Sequence, residues 1–257
     1  MKKFSELSSP SITVMLKSTR RDELIEEIKL SIAEGADSFC LLYEGLEPES
    51  KTDESAKAIL SATEGMPVYV TNYIRGDTCP DETDDERAER LLDLLSMGAS
   101  LIDVRTDMFC PSDDEVTENP EAVLKQMRLI EEIHARGAEV IMSSHIFRFV
   151  SPEEVLRIAM LQRERGADIA KIVTVADTEE ELDEAYRTIF LLKRSLGIPF
   201  LYLINGKMHR SHRMLSGALG SRIYLCRENS YTGLTQPTVE DIKSITDILL
   251  QGDKHDG

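Results

Sequence analysis

Eight times along this chain a short run of apolar, often β-branched residues gives way to a longer stretch with apolar positions three and four apart, and four of the returns carry nearly the same phrase. These are Gly35-Ala36-Asp37, Gly98-Ala99-Ser100, Gly137-Ala138-Glu139 and Gly166-Ala167-Asp168. In each, glycine closes a helix and the chain turns directly into a strand. The pattern predicts strands over 12–16, 38–43, 67–71, 101–104, 139–145, 169–175, 200–204 and 222–226. Helices are expected over 21–34, 53–63, 85–97, 120–136, 152–165, 179–196, 213–219 and 241–250. Strict alternation requires a parallel sheet covered by helices, and this many repeats in 257 residues fit a closed (β/α)8 TIM barrel. An open doubly wound sheet would want a glycine-rich phosphate fingerprint after the first strand, which is missing. No linker rich in Pro, Gly or Ser divides the chain, so one domain over 1–257 is expected, with a disordered tail from Gly252.

Charge narrows the partners. A net charge of -17 disfavours nucleic acid and anionic membranes, and the acid is spread over helices as a solvated surface. The run 81–86 is read as a helix N-terminus, where carboxylates complement the dipole. No stretch approaches membrane-spanning length, and the N-terminus lacks the apolar run of a signal peptide. Cys40, Cys79, Cys110 and Cys226 have no paired spacing, so neither a disulfide framework nor a zinc site is indicated. A cytoplasmic protein with reduced thiols is expected.

The informative stretch runs from 139 to 173: a strand ending in His145, a helix opened by Ser151-Pro152-Glu153-Glu154, and a strand that is apolar except for Lys171. An ammonium group in a buried parallel strand carries a large desolvation cost. Relief comes from a buried carboxylate, from snorkelling to the strand end, or from use of the neutral amine as a nucleophile toward carbonyls, with a nearby histidine moving protons. Barrel active sites lie at the C-terminal ends of strands, which makes Lys17, Glu44, Tyr73, Arg105, Asp107, His145, Lys171 and Asn205 the candidates. His209 and His212 are spaced as metal ligands can be, but Lys207, Arg210 and Arg213 surround them, and an anion-receiving basic cluster is the better reading.

Several of these residues fall into blocks. Ser143-Ser144-His145-Ile146-Phe147 followed by Ser151-Pro152 resembles the Ser-x-His-x-Phe…Thr-Pro segment of type I 3-dehydroquinate dehydratases. Gly166-Ala167-Asp168-Ile169-Ala170-Lys171 is similar to that family's Gly-Ala-Asp-x-x-Lys segment at matching separation. Asn205-Gly206-Lys207 through Ser211-His212-Arg213 is similar to its Met-Gly…Ser-Arg segment, and Gly220-Ser221 to the Gly-Ser before its last strand. Thr232 and Gln236 stand where its lid ends in Ser-Ala-Pro-Gly-Gln. The resemblance implies a Schiff-base lyase that dehydrates 3-dehydroquinate. In it Lys171 forms the imine, His145 moves the protons, Arg213 holds the substrate carboxylate, and Gln236 and Thr232 close the site. It implies no metal or organic cofactor, a small-molecule carboxylate substrate and a homodimer.

The departures concern charge. Where the family carries Glu-x-Arg on strand two, this chain has Cys40 and Leu42; where strand three ends Thr-x-Arg, it has Thr71-Asn72-Tyr73. Where strand four gives Asp-x-Glu, whose glutamate orients the histidine, it reads Asp103-Val104-Arg105. Two-residue offsets along a strand keep one face, so Glu44, Arg75 and Asp107 are candidates to restore charge near the rim, with Tyr73 and Glu44 among the substrate-binding candidates. Arg105 is expected to bind an anionic substrate group displaced from its usual position. Three function classes follow: a working dehydratase, a Schiff-base lyase or aldolase on another oxo-acid, and a non-catalytic binder.

Overall fold

The computed structural model describes residues 3–7, 10–74, 82–230 and 236–252. The strands are β1 (Ser11–Met15), β2 (Ser38–Leu42), β3 (Val68–Thr71), β4 (Leu101–Arg105), β5 (Glu139–His145), β6 (Ile169–Val175), β7 (Phe200–Asn205) and β8 (Ile223–Cys226). Each is followed by a helix: α1 (Arg21–Glu34), α2 (Asp53–Ala62), α3 (Asp84–Met97), α4 (Pro120–Ala135), α5 (Pro152–Glu164), α6 (Glu179–Ser195), α7 (His209–Leu219) and α8 (Val239–Gly252). The strands pair in parallel in the order β7-β6-β5-β4-β3-β2-β1-β8. The two outer strands meet through Arg222, whose backbone N–H donates to the Phe200 carbonyl at 2.7 Å, so the cylinder is nearly closed. This is the (β/α)8 barrel that the alternation predicts.

Local chemistry sets the ends. Thr83 with Glu86 and Thr178 with Glu181 form reciprocal capping boxes, and Ser151 and Asn119 cap helices that begin with proline. Helix α7 starts four residues before its expected 213, because Gly206 turns the chain at φ +87° and its carbonyl accepts from the His209 ring at 2.7 Å. Thr238 accepts from the Asp241 N–H, which brings α8 forward to Val239. That helix runs through Gly252, where the tail was expected to begin; residues 253–257 lie outside the described residues, as do most of the polar loop over 75–84 and Thr232.

The parallel strands are buried on both faces. Outward residues such as Val14, Leu41, Val70, Ile102 and Val140 pack against the first helices, and Ala170, Ile172, Tyr202 and Ile204 against α5 and α6. Inward, Cys40, Tyr69, Leu101, Ile141, Ile169, Leu201, Ile223 and Leu225 fill the throat, and Phe4 from an N-terminal turn joins them. One level higher the lining becomes polar: Asp103, Ser143 and Lys171 are all buried, and Ser143 is the register partner of Lys171. None of the helices among the described residues is long and apolar enough to cross a membrane.

Gly206, between β7 and α7, tests this packing. A Cβ there would meet the Ala176 carbonyl at 2.6 Å and Asp177 Oδ1 at 2.7 Å, at a positive φ. Gly206→Ala should cost about 1–3 kcal/mol by urea denaturation. Gly45→Ala, with nothing within 4 Å of the added carbon, should stay within about 0.5 kcal/mol.

Candidate active site

Strand geometry brings the candidates to one mouth. A cavity of about 150 Å³ above the throat is lined by Met15, Lys17, Cys40, Leu42, Thr71, Tyr73, His145, Lys171, Val173, Leu203, Asn205, Arg213, Leu225 and Gln236. Residues on seven strands, or just past their ends, contribute, and α7 and the segment after β8 add Arg213 and Gln236.

Lys171, only 4% exposed, donates from Nζ to the phenol oxygens of Tyr69 at 2.8 Å and Tyr73 at 2.7 Å, and stands 3.3 Å from Asp103 Oδ2. Both phenols donate to that same carboxylate oxygen, while Ser143 Oγ donates to Asp103 Oδ1 at 2.5 Å. Burial, followed by the Asp103 charge, pushes both phenols well above their ordinary value, so they remain protonated donors. Arg87 of α3 donates to the Tyr73 carbonyl at 2.9 Å and fixes the end of β3. The lysine thus rests against a buried carboxylate, the first of the three forms of relief that its sequence context allows.

His145 stands beside this cluster, with its ring edge-on to Tyr73 at 5.2 Å between centroids. Its Nδ1 lies 2.8 Å from Glu115 Oε2, which also accepts the His145 backbone N–H at 2.9 Å. Burial and then the Lys171 charge lower the imidazole, and Glu115 opposes them. Burial would raise Glu115, but its contacts with His145 and the charge of Arg105 leave its carboxyl below the ordinary value. The loop after β4, whose acidic part over 110–119 reads as exposed from the sequence, therefore folds partly inward. Ser112 N–H donates to Asp107 Oδ2 and Ser144 Oγ to the Glu115 carbonyl, while Arg165 donates to the Thr117 carbonyl. Glu115, which makes these contacts, holds a left-handed φ of +49°.

Arg213 is 5% exposed and donates from Nε to the Ile204 carbonyl and from an Nη to Asn205 Oδ1, both at 2.9 Å. Burial lowers it to about 10, and among the described residues no carboxylate is within salt-bridge distance. It faces the cavity as a positive group held by neutral oxygens. Gln236 reaches Met15 Sδ with its amide nitrogen, and its Oε1 is buried with no hydrogen-bond partner among the described residues.

Other candidates lie elsewhere or outside the described residues. Arg105 donates to Asp107 Oδ1 at 2.7 and 2.9 Å and borders a small cleft with Asn72, Asp84 and Arg87, apart from the Lys171 cavity. Arg105 was expected to bind a substrate anion; here Asp107, two residues on, holds its guanidinium. Glu44 is buried behind Thr71, from whose hydroxyl it accepts at 2.8 Å, and does not line the cavity. Arg75 and Thr232 lie outside the described residues. His212 is enclosed between the rings of Tyr186 and Tyr202, and its neighbour Arg213 faces the cavity in its place.

A family model described as type I 3-dehydroquinase matches residues 12–253. The chain belongs to the type I 3-dehydroquinase family. It is 24% identical over 93% of its length to a 3-dehydroquinate dehydratase of Shouchella clausii, of which the match covers 91%. A 3-dehydroquinate dehydratase of Alkaliphilus oremlandii is 32% identical over a match that spans 47% of this chain and 48% of that one. The crystal structure of the Geobacillus kaustophilus 3-dehydroquinate dehydratase superposes with a TM-score of 0.80 at 16% identity, covering 97% and 96% of the two chains. In this member of the type I 3-dehydroquinase family the carboxylate on His145 comes from the loop after β4, where the resemblance implied a glutamate on the strand itself. Sequence reasoning missed that residue, Glu115, as well as Tyr69 and Asp103 around the lysine. Tyr69 shares the inward face of β3 with Tyr73 and could have been found by parity; Glu115 could not.

Burial lowers His212 to about 3. The folded state binds its proton less readily than the unfolded chain, so its contribution to stability is full above about pH 6.5 and is lost progressively as pH falls toward 3. His212→Phe should flatten the fall in unfolding free energy across that window, measured by urea midpoints at several pH values.

Proposed function

We propose that this protein is a class I dehydratase that converts 3-dehydroquinate to 3-dehydroshikimate through an imine on Lys171. The observation that carries the reading is a buried lysine and a carboxylate-held histidine opening into one cavity beside an unpaired buried guanidinium. The substrate carboxylate is held by Arg213, with Lys17 adding positive charge at the rim, which places the ring ketone toward Lys171. The protonated imine withdraws electrons from the adjacent carbon. His145, with Nδ1 on Glu115, presents its other ring nitrogen to take the proton there and return one to the departing hydroxyl. The unpartnered Gln236 carbonyl oxygen offers an acceptor to a substrate hydroxyl. The chain acts as a cytoplasmic enzyme of one domain and as a homodimer in this reading.

A second reading has a specific observation in its favour. Cys40 and Leu42 present an apolar wall, and burial pushes the Cys40 thiol up to about 12, so it stays neutral. A substrate with fewer hydroxyls, another oxo-acid handled by the same lysine as a lyase or aldolase substrate, suits that wall.

Borohydride reduction in the presence of 3-dehydroquinate, followed by peptide mass measurement, should place the adduct on Lys171, with turnover to an enone absorbing in the ultraviolet. An adduct without turnover favours the second reading, and the absence of any adduct sinks the first. Arg213→Gln should lower kcat/KM by roughly 10- to 100-fold, mainly through KM, as expected for loss of one charged hydrogen-bonding partner.

A further inference from the structure

A charged lysine cannot attack a carbonyl, and Lys171 rests in an ion pair. The route of its surplus proton can be followed in the hydrogen bonds. Asp103 is the nearest base, but its oxygen is 3.3 Å from Nζ, whereas the two phenol oxygens are at 2.7 and 2.8 Å and each passes its own hydrogen on to that carboxylate oxygen. The imidazole is a poorer acceptor here, because its Nδ1 is occupied by Glu115 and the lysine charge works against its protonation. Of the two phenols, Tyr73 lines the cavity and Tyr69 lies beneath it.

We propose that Tyr73 is a catalytic residue, a proton relay that activates Lys171 by handing its proton to Asp103. The inference rests on Lys171 being the imine-forming residue. In the forward step Nζ gives a proton to the Tyr73 oxygen while the Tyr73 hydrogen moves to Asp103, leaving a neutral amine, an intact phenol and a carboxylic acid. The amine adds to the substrate carbonyl to give the carbinolamine. The proton stored on Asp103 then returns through Tyr73 to the carbinolamine hydroxyl, which departs as water. The nitrogen is left as a protonated imine and Asp103 as a carboxylate, so charge and protons balance. Because burial holds the phenols protonated, the relay passes hydrogens along without forming a phenolate. Ser143, donating to the other Asp103 oxygen, keeps the carboxylate turned toward the relay. The residue stands where the family pattern has an arginine, so a substrate-binding position has been given over to activating the nucleophile.

The test uses a small 1,3-diketone, acetylacetone, which forms an absorbing enaminone with a neutral amine and does not depend on the natural substrate. With the intact protein, modification of Lys171, located by peptide mass, should proceed at a rate that is flat between about pH 6 and 8, well below the ordinary lysine pKa of about 10.4. Tyr73→Phe should slow it at least tenfold and make the rate climb about tenfold per pH unit, since the proton must then leave to solvent. Asp103→Asn, which cannot take the proton, should also slow the reaction, and a solvent deuterium isotope effect on the wild-type rate, absent if no proton is relayed, decides the matter if either variant unfolds. A wild-type protein that does not react near neutral pH, or Tyr73→Phe and Asp103→Asn proteins with wild-type rates and flat profiles, would overturn the relay. Reaction with the diketone but not with 3-dehydroquinate would leave the relay standing and refute the proposed substrate.

Discussion

Everything at this site depends on two opposite charges held inside a dry cylinder. Moving an ion from water into the interior costs several kcal/mol even after relaxation, and the cost is recovered only when the remaining donors and acceptors are satisfied. Lys171 and Asp103 meet that condition with two phenols and a serine, drawn from β3, the segment just past its end, β4, β5 and β6. Removing one partner would strand the other without water, at a cost on the order of 3–5 kcal/mol. The same enclosure makes the pair useful, because in a low dielectric a small proton shift converts two charges into two neutral groups.

His145 shows how a barrel can take from a loop the carboxylate that the family resemblance implies on a strand. The family pattern orients its histidine with a glutamate on β4, where this chain has Arg105. Here the carboxylate arrives from the following loop, whose two ends are tied down by Asp107 and Arg165. Arg105 has become part of that apparatus: it pairs with Asp107, and its charge reaches Glu115 and helps keep it ionised. A cation beside the histidine would by itself depress the imidazole. Here the Arg105 charge acts on Glu115, and Glu115 in turn favours the protonated imidazole.

The electrostatics of the mouth oppose those of the whole molecule. The chain carries a net charge of -17, yet the cavity is lined by Lys17, Lys171 and Arg213, and among the described residues no acid lines it. A positive funnel in a negative surface concentrates small anions where they can react and repels polyanions elsewhere.

The architecture was legible in the chain because it is local. Helix-closing glycines, capping residues and the change of hydrophobic period lie within a few residues of the structure they specify, and they placed every strand to within two residues. Lys171 and His145 were legible for the same reason, one as a charge in an apolar strand and the other as the end of a strand. What only the tertiary structure decided was partnership across the barrel. Tyr69 and Lys171 are 102 positions apart in sequence and 2.8 Å apart in space. Asp107 captures the Arg105 guanidinium, and strand parity gives a side chain's face but not which neighbour will pair with it. Glu115 left no signal at all, since its place depends on a left-handed backbone turn in an irregular loop and on contacts with a strand 30 residues away. A periodic element carries its geometry in its own repeat, whereas a loop acquires its geometry only from what it folds against.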